Sequence, residues 1–407
     1  MEGFEIIEVS PRRTLLISII VLWLGIYLTK KAKWLKSYNI PAAVTGGLIC
    51  SVLVAFVAIL YGYQITFNLW MRDILLLIFF STIGLTANIK LLVNGGKCLF
   101  ILLIAASVFL VVQNLVGLFV ASLFEGHFAY GLLTGSVSFA GGHGTAITYG
   151  KLFTEQYQLP ATEEIAIACA TLGLIVGGLV GGPLAEKLIN KNKLSPSNSN
   201  EQSKSLDVKN NNSGKLTSMN AIINATFLIV LCIGCGEFIH LWLKNNDIVM
   251  PLYLPGLFVG ILITNIGDLL KIKKTSQFSN AISLWSDVSL TLFLAMSLMS
   301  MQLLVLSQAL RPLMLVLVFQ VIVMSLFSYI IVFRIMGRDY DAAVISSGFA
   351  GLGLGATPVG MANMRAVSEK YGNSAKAFLV IPLLGAFFID VVNALILQGF
   401  MSLPFLK

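Results

Sequence analysis

Ten apolar runs, most of them about 17–25 residues long, limit what this chain can fold into, because an α-helix needs about that length to cross a bilayer. They lie near residues 14–29, 41–61, 73–92, 98–124 and 164–186, and again near 218–242, 251–268, 284–308, 312–334 and 376–400. Only 11% of the 407 residues are charged, against about a quarter in a soluble domain. The chain cannot hide this much apolar surface from water. The sequence therefore predicts an all-α integral membrane protein.

Each set of five runs contains a weaker apolar piece between its fourth and fifth members, near residues 128–150 and 340–362. Each piece holds only about ten apolar residues before a glycine-rich break, too few to cross a membrane. We predict that both are re-entrant hairpins. Residues 187–217 are rich in Asn, Ser and Lys, a composition typical of a flexible linker. The predicted domains are therefore an N-terminal five-helix repeat, residues 1–186, and a C-terminal five-helix repeat, residues 218–407.

Two observations predict that the halves are inserted in opposite orientations. Motifs recur in both halves, as with Phe139-Ala140 and Phe349-Ala350, and each half has an odd number of crossings. With the N-terminus outside the cell, 20 of the 27 Lys and Arg residues fall on the cytoplasmic side, as the positive-inside rule requires. The sequence thus predicts inverted-topology repeats, with both termini outside and the linker in the cytoplasm. This architecture is typical of secondary transporters.

The glycine-rich breaks are the candidate binding site. Glycine lets the backbone turn sharply and lets a ligand approach main-chain groups. Interrupted helices expose N–H groups that suit a carboxylate and carbonyl groups that suit a sodium ion. The alternative use of glycine, close helix packing, is our interpretation of residues 177–182. The candidate residues are Gly141, Gly142, His143, Gly144 and Thr145 in the first break and Gly353, Gly355, Ala356 and Thr357 in the second.

Asp390 lies in the middle of the last apolar run. A carboxylate at the bilayer centre costs about 2.5–3.5 kcal/mol on the insertion scale and is a functional candidate by default. Asn393 follows three residues later and lies on the same helix face. Asp390 and Asn393 are candidates for binding a cation or a substrate ammonium, with Thr357 as a third sodium ligand. A buried structural hydrogen-bond network is the alternative.

Other polar residues inside the runs have two interpretations each. Thr82 and Asn88 belong to a polar stretch, residues 81–88, that is either unwound and substrate-facing or helical with its hydroxyls bonded back to its own carbonyls. Gln113, Asn114 and Gln320 favour hydrogen bonds between helices over ligand binding. For His143, a neutral imidazole that fixes the loop is favoured over a titrating role.

Several motifs follow one another in a specific order, namely Thr82-Ile83-Gly84-Leu85, Gly141-Gly142-His143-Gly144-Thr145, Gly353-Leu354-Gly355-Ala356-Thr357-Pro358, Ala362-Asn363-Met364 and Gly385-Ala386-Phe387-Phe388-Ile389-Asp390. In this order and spacing, the chain resembles the bacterial sodium/glutamate symporter family over essentially its whole length.

The resemblance implies a secondary carrier that brings L-glutamate into the cell with sodium as the coupling ion and without an organic cofactor. It also implies a homodimer in the bacterial inner membrane, with a transport domain that moves in an elevator-like manner. Asn363, Thr82 and Asn88 join the substrate-binding candidates. Asp287 falls where the family leads us to expect an uncharged residue. An ion site that differs from the family's is therefore an open alternative.

Three other functions compete with this interpretation. A sodium-coupled carrier of citrate or another di- or tricarboxylate could use the same N–H groups, and a passive channel could share the fold. An intramembrane protease would need a catalytic motif such as G-x-G-D or H-E-x-x-H, and the sequence contains neither. The basic residues form short clusters between apolar runs, so the net charge of +8 indicates membrane topology rather than nucleic-acid binding.

Overall fold

A computed structural model describes residues 5–32, 41–88, 96–196, 218–246, 250–270 and 275–403. The first half of the chain folds into β1 (Glu5–Val9), α1 (Pro11–Lys31), α2 (Ala42–Tyr61), β2 (Tyr63–Phe67), α3 (Trp70–Thr86), α4 (Gly96–Leu123), α5 (Phe128–Leu132, continued by the π-helix Leu133–Val137), α6 (Gly142–Tyr157) and α7 (Thr162–Asn192).

The described part of the second half is helical. It contains α8 (Met219–Asn245), α9 (Tyr253–Leu269), α10 (Ser276–Met299), α11 (Leu303–Gln308), α12 (Leu310–Ile335), α13 (Tyr340–Leu354), α14 (Thr357–Tyr371), α15 (Ala375–Leu383) and α16 (Ile389–Ser402). A π-helix, Leu384–Phe388, joins α15 to α16.

Seven helices among the described residues are long and apolar enough to cross a membrane, namely α1, α2, α4, α7, α8, α10 and α12. The chain is therefore a multi-pass membrane protein. The other three predicted crossings fall on α3, on α9 and on the joined pair α15–α16. Helix α3 ends at Thr86, and the last residues of its predicted run, 89–92, lie outside the described residues.

Helix α7 is longer than its apolar run. It continues to Asn192, six residues into the stretch predicted as a linker, because Leu188 and Ile189 at its end are buried. Most of that stretch, residues 197–217, lies outside the described part of the chain.

One pair of strands adds to the predicted all-helical fold. β1 and β2 pair in parallel, with Glu5 opposite Tyr63 and Val9 opposite Phe67. Each strand has only five residues. Segments this short do not form long apolar runs, so the pattern of such runs does not predict them.

The residues divide into two compact units, each assembled from both halves of the sequence. Unit 1 comprises Met1–Ala87, Ile147–Ile167 and Thr217–Arg311, and unit 2 comprises Asn88–Ala146, Ala168–Leu216 and Pro312–Lys407. The predicted repeats are continuous stretches of sequence, whereas the units are groups of residues in contact. The bounds of the units therefore do not test the bounds of the predicted repeats.

Unit 1 is organised around α3, which packs against α9 and α10. The packing is close because Gly84 and Gly260 face each other, and a Cβ atom on Gly84 would lie only 2.3 Å from the Leu257 carbonyl oxygen. The Thr264 hydroxyl donates to the Leu85 carbonyl at 2.6 Å. These contacts lock two helices of different sequence halves into one unit.

Candidate functional site

The first break lies in unit 2, between α5 and α6. The backbone leaves helical dihedral angles at Gly135 (φ −103°, ψ −134°), and α6 begins at Gly142, whose φ is +65°. An L side chain rarely adopts that φ, so glycine is needed where the new helix starts. The first turn of α6 contains His143, Gly144 and Thr145, the predicted binding residues.

The second break separates α13 from α14. Helix α13 ends at Leu354, and α14 begins at Thr357 with Pro358 in its first turn, where a missing N–H costs nothing. The two helices pack side by side, since a Cβ atom on Gly351 would lie 2.8 Å from the Gly360 Cα. The second pair is therefore a helical hairpin whose tip is residues 355–356.

The two breaks meet inside unit 2. A Cβ atom on Gly142 would lie 3.7 Å from the Gly355 carbonyl oxygen, so the two breaks are within contact distance of each other. The N-terminal end of α6 therefore lies close to the break from which α14 starts. Helix N-termini carry unpaired N–H groups and the positive end of the helix dipole, which together bind anions. The arrangement can receive a solute with carboxylate groups.

Asp390 lies on α16 between contacts to both breaks. Before it, the Gly385 carbonyl accepts a hydrogen bond from the Thr357 hydroxyl at 3.0 Å. After it, the Asn393 side chain exchanges two hydrogen bonds with Ser136, at 2.6 and 3.0 Å. At about 1.5 Å of rise per residue, Asp390 is within roughly two helical turns of either break.

The Asp390 carboxylate is half-buried and makes no hydrogen bond or ion pair within the described ranges. An unpaired carboxylate in a membrane-spanning segment is costly and is a candidate cation ligand. The Thr357 hydroxyl donates its proton to Gly385, so its oxygen can still accept or coordinate. The Asn393 amide has both ends engaged by Ser136, and it therefore holds the first break rather than standing free for an ion.

Several predicted binding residues instead hold the breaks to their neighbours. The His143 imidazole Nε2 lies 3.0 Å from the Thr171 hydroxyl on α7, and Asn363 donates to the Gly177 carbonyl at 2.9 Å. Both side chains are buried. In the glycine run at 177–182, Gly177 and Gly181 provide close packing, since a Cβ atom on Gly181 would lie 2.2 Å from the Asn363 amide nitrogen and one on Gly177 would lie 3.2 Å from the Leu354 Cβ. Gly182 does not share this role, because no described residue lies within 4 Å of its Cβ position.

The polar stretch in the third apolar run is helical through Thr86, so the unwound interpretation is wrong for residues 81–86. The Thr82 hydroxyl donates to the Phe79 carbonyl of its own helix at 2.6 Å, and Thr82 belongs to unit 1 rather than to the unit that contains the breaks. Asn88 lies two residues after the helix end and is half-buried. Asp287 is exposed on α10 in unit 1.

A cavity of about 630 Å³ lies in unit 1 and is lined in part by Asp73, Lys151, Glu155 and Lys244. It contains none of the predicted binding residues. Beside it, the buried Arg72 guanidinium bonds to Asp73 and Glu163, and Lys151 bonds to Asp73. The ion pairs tie the start of α3 to α6 and α7 within unit 1.

Sequence reasoning missed Ser136 and Gly173. In the first break, Ser136 donates its N–H to Asn114 Oδ1 and its hydroxyl to Asn393 Oδ1. Its position beside Gly135 in a weak apolar piece is the signal that could have found it. A Cβ atom on Gly173 would lie 2.3 Å from the Leu354 carbonyl oxygen, but nothing in the sequence separates this glycine from those that pack ordinary helices.

Membrane-spanning helices, paired glycine-rich breaks and an unpaired carboxylate beside them define the class of secondary transporters. The family model described as sodium/glutamate symporter matches residues 7–373. The chain therefore belongs to the sodium/glutamate symporter family, which is a family of transporters and not of enzymes.

Relatives agree with this assignment. The chain is 39% identical over 391 residues to the sodium/glutamate symporter of Escherichia coli (strain K12), covering 96% of this chain and 97% of the relative. It is 37% identical to the sodium/glutamate symporter of Haemophilus influenzae, covering 96% of each. A solved sodium proton antiporter from Methanocaldococcus jannaschii has a TM-score of 0.39 and 14% identity over 96% of this chain and 98% of that chain, a likeness too low to support a conclusion.

Proposed function

We propose that the protein is a secondary transporter that couples inward movement of sodium to uptake of L-glutamate. The relatives that cover nearly the whole chain are named for this activity. The observation that carries the proposal is the meeting of the two breaks in unit 2, where Gly142 approaches the Gly355 carbonyl. A solute bound there contacts residues from both halves of the chain.

Glutamate has two carboxylates, and each of the two breaks in unit 2 is followed by a helix N-terminus, that of α6 or that of α14. In this proposal the α6 terminus at Gly142 binds one carboxylate through main-chain N–H groups. The α14 terminus binds the other through the Thr357 N–H, because Pro358 has no N–H and the Val359 N–H donates to the Ala356 carbonyl. His143, Thr145 and Asn363 are buried beside these ends and hold them in place. Gly141, Gly144, Gly353 and Ala356 complete the proposed binding loops.

Sodium binds next to Asp390 in this proposal. The carboxylate has no partner among the described residues, so a cation there relieves the cost of its burial. The Thr357 hydroxyl oxygen and carbonyl groups of the breaks supply further oxygen ligands, as in other transporters with broken helices. Sodium and glutamate thus share Thr357, the first residue after the hairpin tip, which is a physical route for their coupling.

The membrane arrangement belongs to the same proposal. The two halves form inverted repeats with re-entrant hairpins, both termini lie outside, and the chain works as a homodimer in the bacterial inner membrane. The basic residues support this topology, because most of them fall between apolar runs on one side. The access change is elevator-like, with unit 2, which contains both breaks, as the transport domain.

Uptake of labelled L-glutamate into proteoliposomes tests the proposal. We expect accumulation above equilibrium with an inward sodium gradient and none when potassium replaces sodium, under a clamped membrane potential. Unlabelled citrate in excess should compete poorly, and a citrate carrier would show the reverse. Accumulation that is independent of sodium would refute the coupling, and equilibration without accumulation would indicate a channel.

A further inference from the structure

We propose that three buried amide side chains, those of Gln113, Asn114 and Gln320, hold both helix breaks in shape and are positioning residues for the solute and ion sites. The transport part of this inference rests on the proposed function. The structural part rests on hydrogen bonds inside unit 2 and can be tested without any solute.

At the first break, two main-chain groups lose their partners within the helix, and two amide side chains form hydrogen bonds with them. In a continuous helix the Thr134 carbonyl would accept from Ser138 and the Ser136 N–H would donate to Leu132. The kink at Gly135 prevents both bonds, and the Ser138 N–H donates to the Gly135 carbonyl instead.

Each freed group has an amide partner. The Ser136 N–H donates to Asn114 Oδ1 at 2.9 Å, and Gln320 Nε2 donates to the Thr134 carbonyl at 3.1 Å. The two amide side chains are fully buried. Because leaving a buried N–H or carbonyl unpaired costs its full desolvation free energy, these amides stabilise the broken conformation over alternatives without them.

The second break is held from the same helix. The last carbonyls of α13 have no partner within their helix, and the Gly353 carbonyl accepts from Gln113 Nε2 at 2.8 Å. Gln113 and Asn114 are consecutive on α4, so neighbouring residues of one helix support the two breaks. Gln320 also donates to the Gln113 carbonyl at 2.9 Å, which fixes α12 against this point of α4.

Packing between helices does not by itself explain why these three buried positions have amide side chains. Each of them leaves one polar end buried without a partner in the described part of the chain, namely Gln113 Oε1, Asn114 Nδ2 and Gln320 Oε1. Leucine or methionine would fill the same space without that penalty. The amides are useful here because the breaks have main-chain groups that only polar side chains can satisfy.

Hydrogen exchange of the purified protein without solute tests the structural part. Asn114→Leu should accelerate exchange of the Ser136 amide by about tenfold or more, because its acceptor is lost. Asn114→Asp keeps an acceptor oxygen and should restore slow exchange. Gln113→Met should accelerate exchange in residues 351–358 but not at Ser136. Ser107→Ala, whose hydroxyl bonds to the Leu103 carbonyl of its own helix, is the matched control on α4.

Transport kinetics test the positioning part. Asn114→Leu and Gln113→Met should each raise the glutamate KM and the half-saturating sodium concentration about tenfold, with Ser107→Ala unchanged and Asn114→Asp closer to wild type. If Asn114→Leu does not fold, Gln320→Met gives the same test at Thr134.

Unchanged exchange at Ser136 in Asn114→Leu, or in the Thr134 region in Gln320→Met, would overturn the inference, as would wild-type KM values in variants with altered exchange. If the wild-type protein shows no sodium-driven uptake, the proposed function fails, while the exchange experiment still decides whether the amides hold the breaks.

Discussion

Asp390 is the residue whose position is hardest to explain without a bound cation. Its helix contacts the second break through Gly385 and the first break through Asn393. A carboxylate that only stabilised the fold would have a donor or a basic partner, because an unpaired charge in the membrane interior is costly. Asp390 has neither among the described residues. We propose that the transported sodium ion is the partner of the Asp390 carboxylate.

Replacing Asp390 with asparagine tests this role. Asp390→Asn keeps the shape and removes the charge, so sodium-driven glutamate uptake should fall at least about a hundredfold, as expected when a group that binds the coupling ion is lost. Thermal stability should stay the same or rise, because an unpaired charge in a membrane-spanning segment disappears. Asp287→Asn makes the same chemical change at an exposed carboxylate in unit 1 and should keep sodium dependence. Loss of coupling in Asp287→Asn alone would assign the ion site to Asp287.

Arg72 has the opposite character, a buried charge with two partners. Its guanidinium is 3% exposed and bonds to Asp73 at 2.9 Å and to Glu163 at 2.7 Å. Arg72→Gln should therefore destabilise the protein by about 2 kcal/mol, less than for a fully buried pair because both acids are partly exposed. Lys370→Gln breaks an exposed pair with Glu186 and should lower the stability much less, because water screens the two charges. Unfolding in detergent measures both, and equal losses would contradict the ranking.

Among the elements, the two broken helices depend on α7 for support. His143 reaches Thr171, Asn363 reaches the Gly177 carbonyl, and Gly173 lets α7 approach the end of α13. These contacts lie within one stretch of α7 in unit 2. Small residues at such positions let backbones approach closely in membrane proteins. Helix α7 thus fixes both breaks from one side.

A methyl group on α7 tests this support. Gly173→Ala places a Cβ atom against the Leu354 carbonyl and the Phe139 ring, so α7 must shift, at a cost of about 1–3 kcal/mol. Gly182→Ala is the matched control, because no atom of the described residues lies within 4 Å of its Cβ position. We expect Gly173→Ala to lower both the melting temperature and the uptake rate and Gly182→Ala to change neither. Equal behaviour of the two variants would contradict the packing argument.

The sequence predicted the breaks themselves but not what holds them. Glycine patterns around Gly142 and Gly355 located the two interruptions of the helices, whereas the re-entrant course of these segments stays a prediction. Helix-to-helix bonding of Gln113, Asn114 and Gln320 was also predicted. The sequence did not reveal that their partners are main-chain groups freed at Gly135 and Gly353. Such pairing depends on which helices are neighbours, and residue spacing within one helix does not contain that information.

Thr82 shows what the sequence leaves open about a polar residue in an apolar run. A hydroxyl inside an apolar run is equally compatible with facing a substrate and with bonding back to its own helix. The structure shows the Phe79 carbonyl as its acceptor. The grouping of helices into two units likewise could not be predicted, because each unit combines segments far apart in the sequence.

For the complete chain, the inverted-repeat topology makes a direct prediction. Gln156 and Lys370 occupy corresponding positions in the two halves, in Glu155-Gln156-Tyr157 and Glu369-Lys370-Tyr371, and both are exposed. In a chain without its native cysteines, Gln156→Cys should react with an impermeant maleimide from outside intact cells. Lys370→Cys should react only after permeabilisation, because opposite insertion puts the two positions on opposite sides. Labelling of both from one side would exclude inverted repeats.

The central claim is that sodium and glutamate bind together at the meeting point of the two breaks. Equilibrium binding of labelled L-glutamate to the purified protein, titrated with sodium against a potassium background, tests it most directly. Because coupling is reciprocal, we expect glutamate affinity to rise at least about tenfold with saturating sodium, and sodium affinity to rise by the same factor with glutamate. Asp390→Asn should abolish both effects. Equal glutamate affinity in sodium and potassium buffers for the wild-type protein would contradict the account.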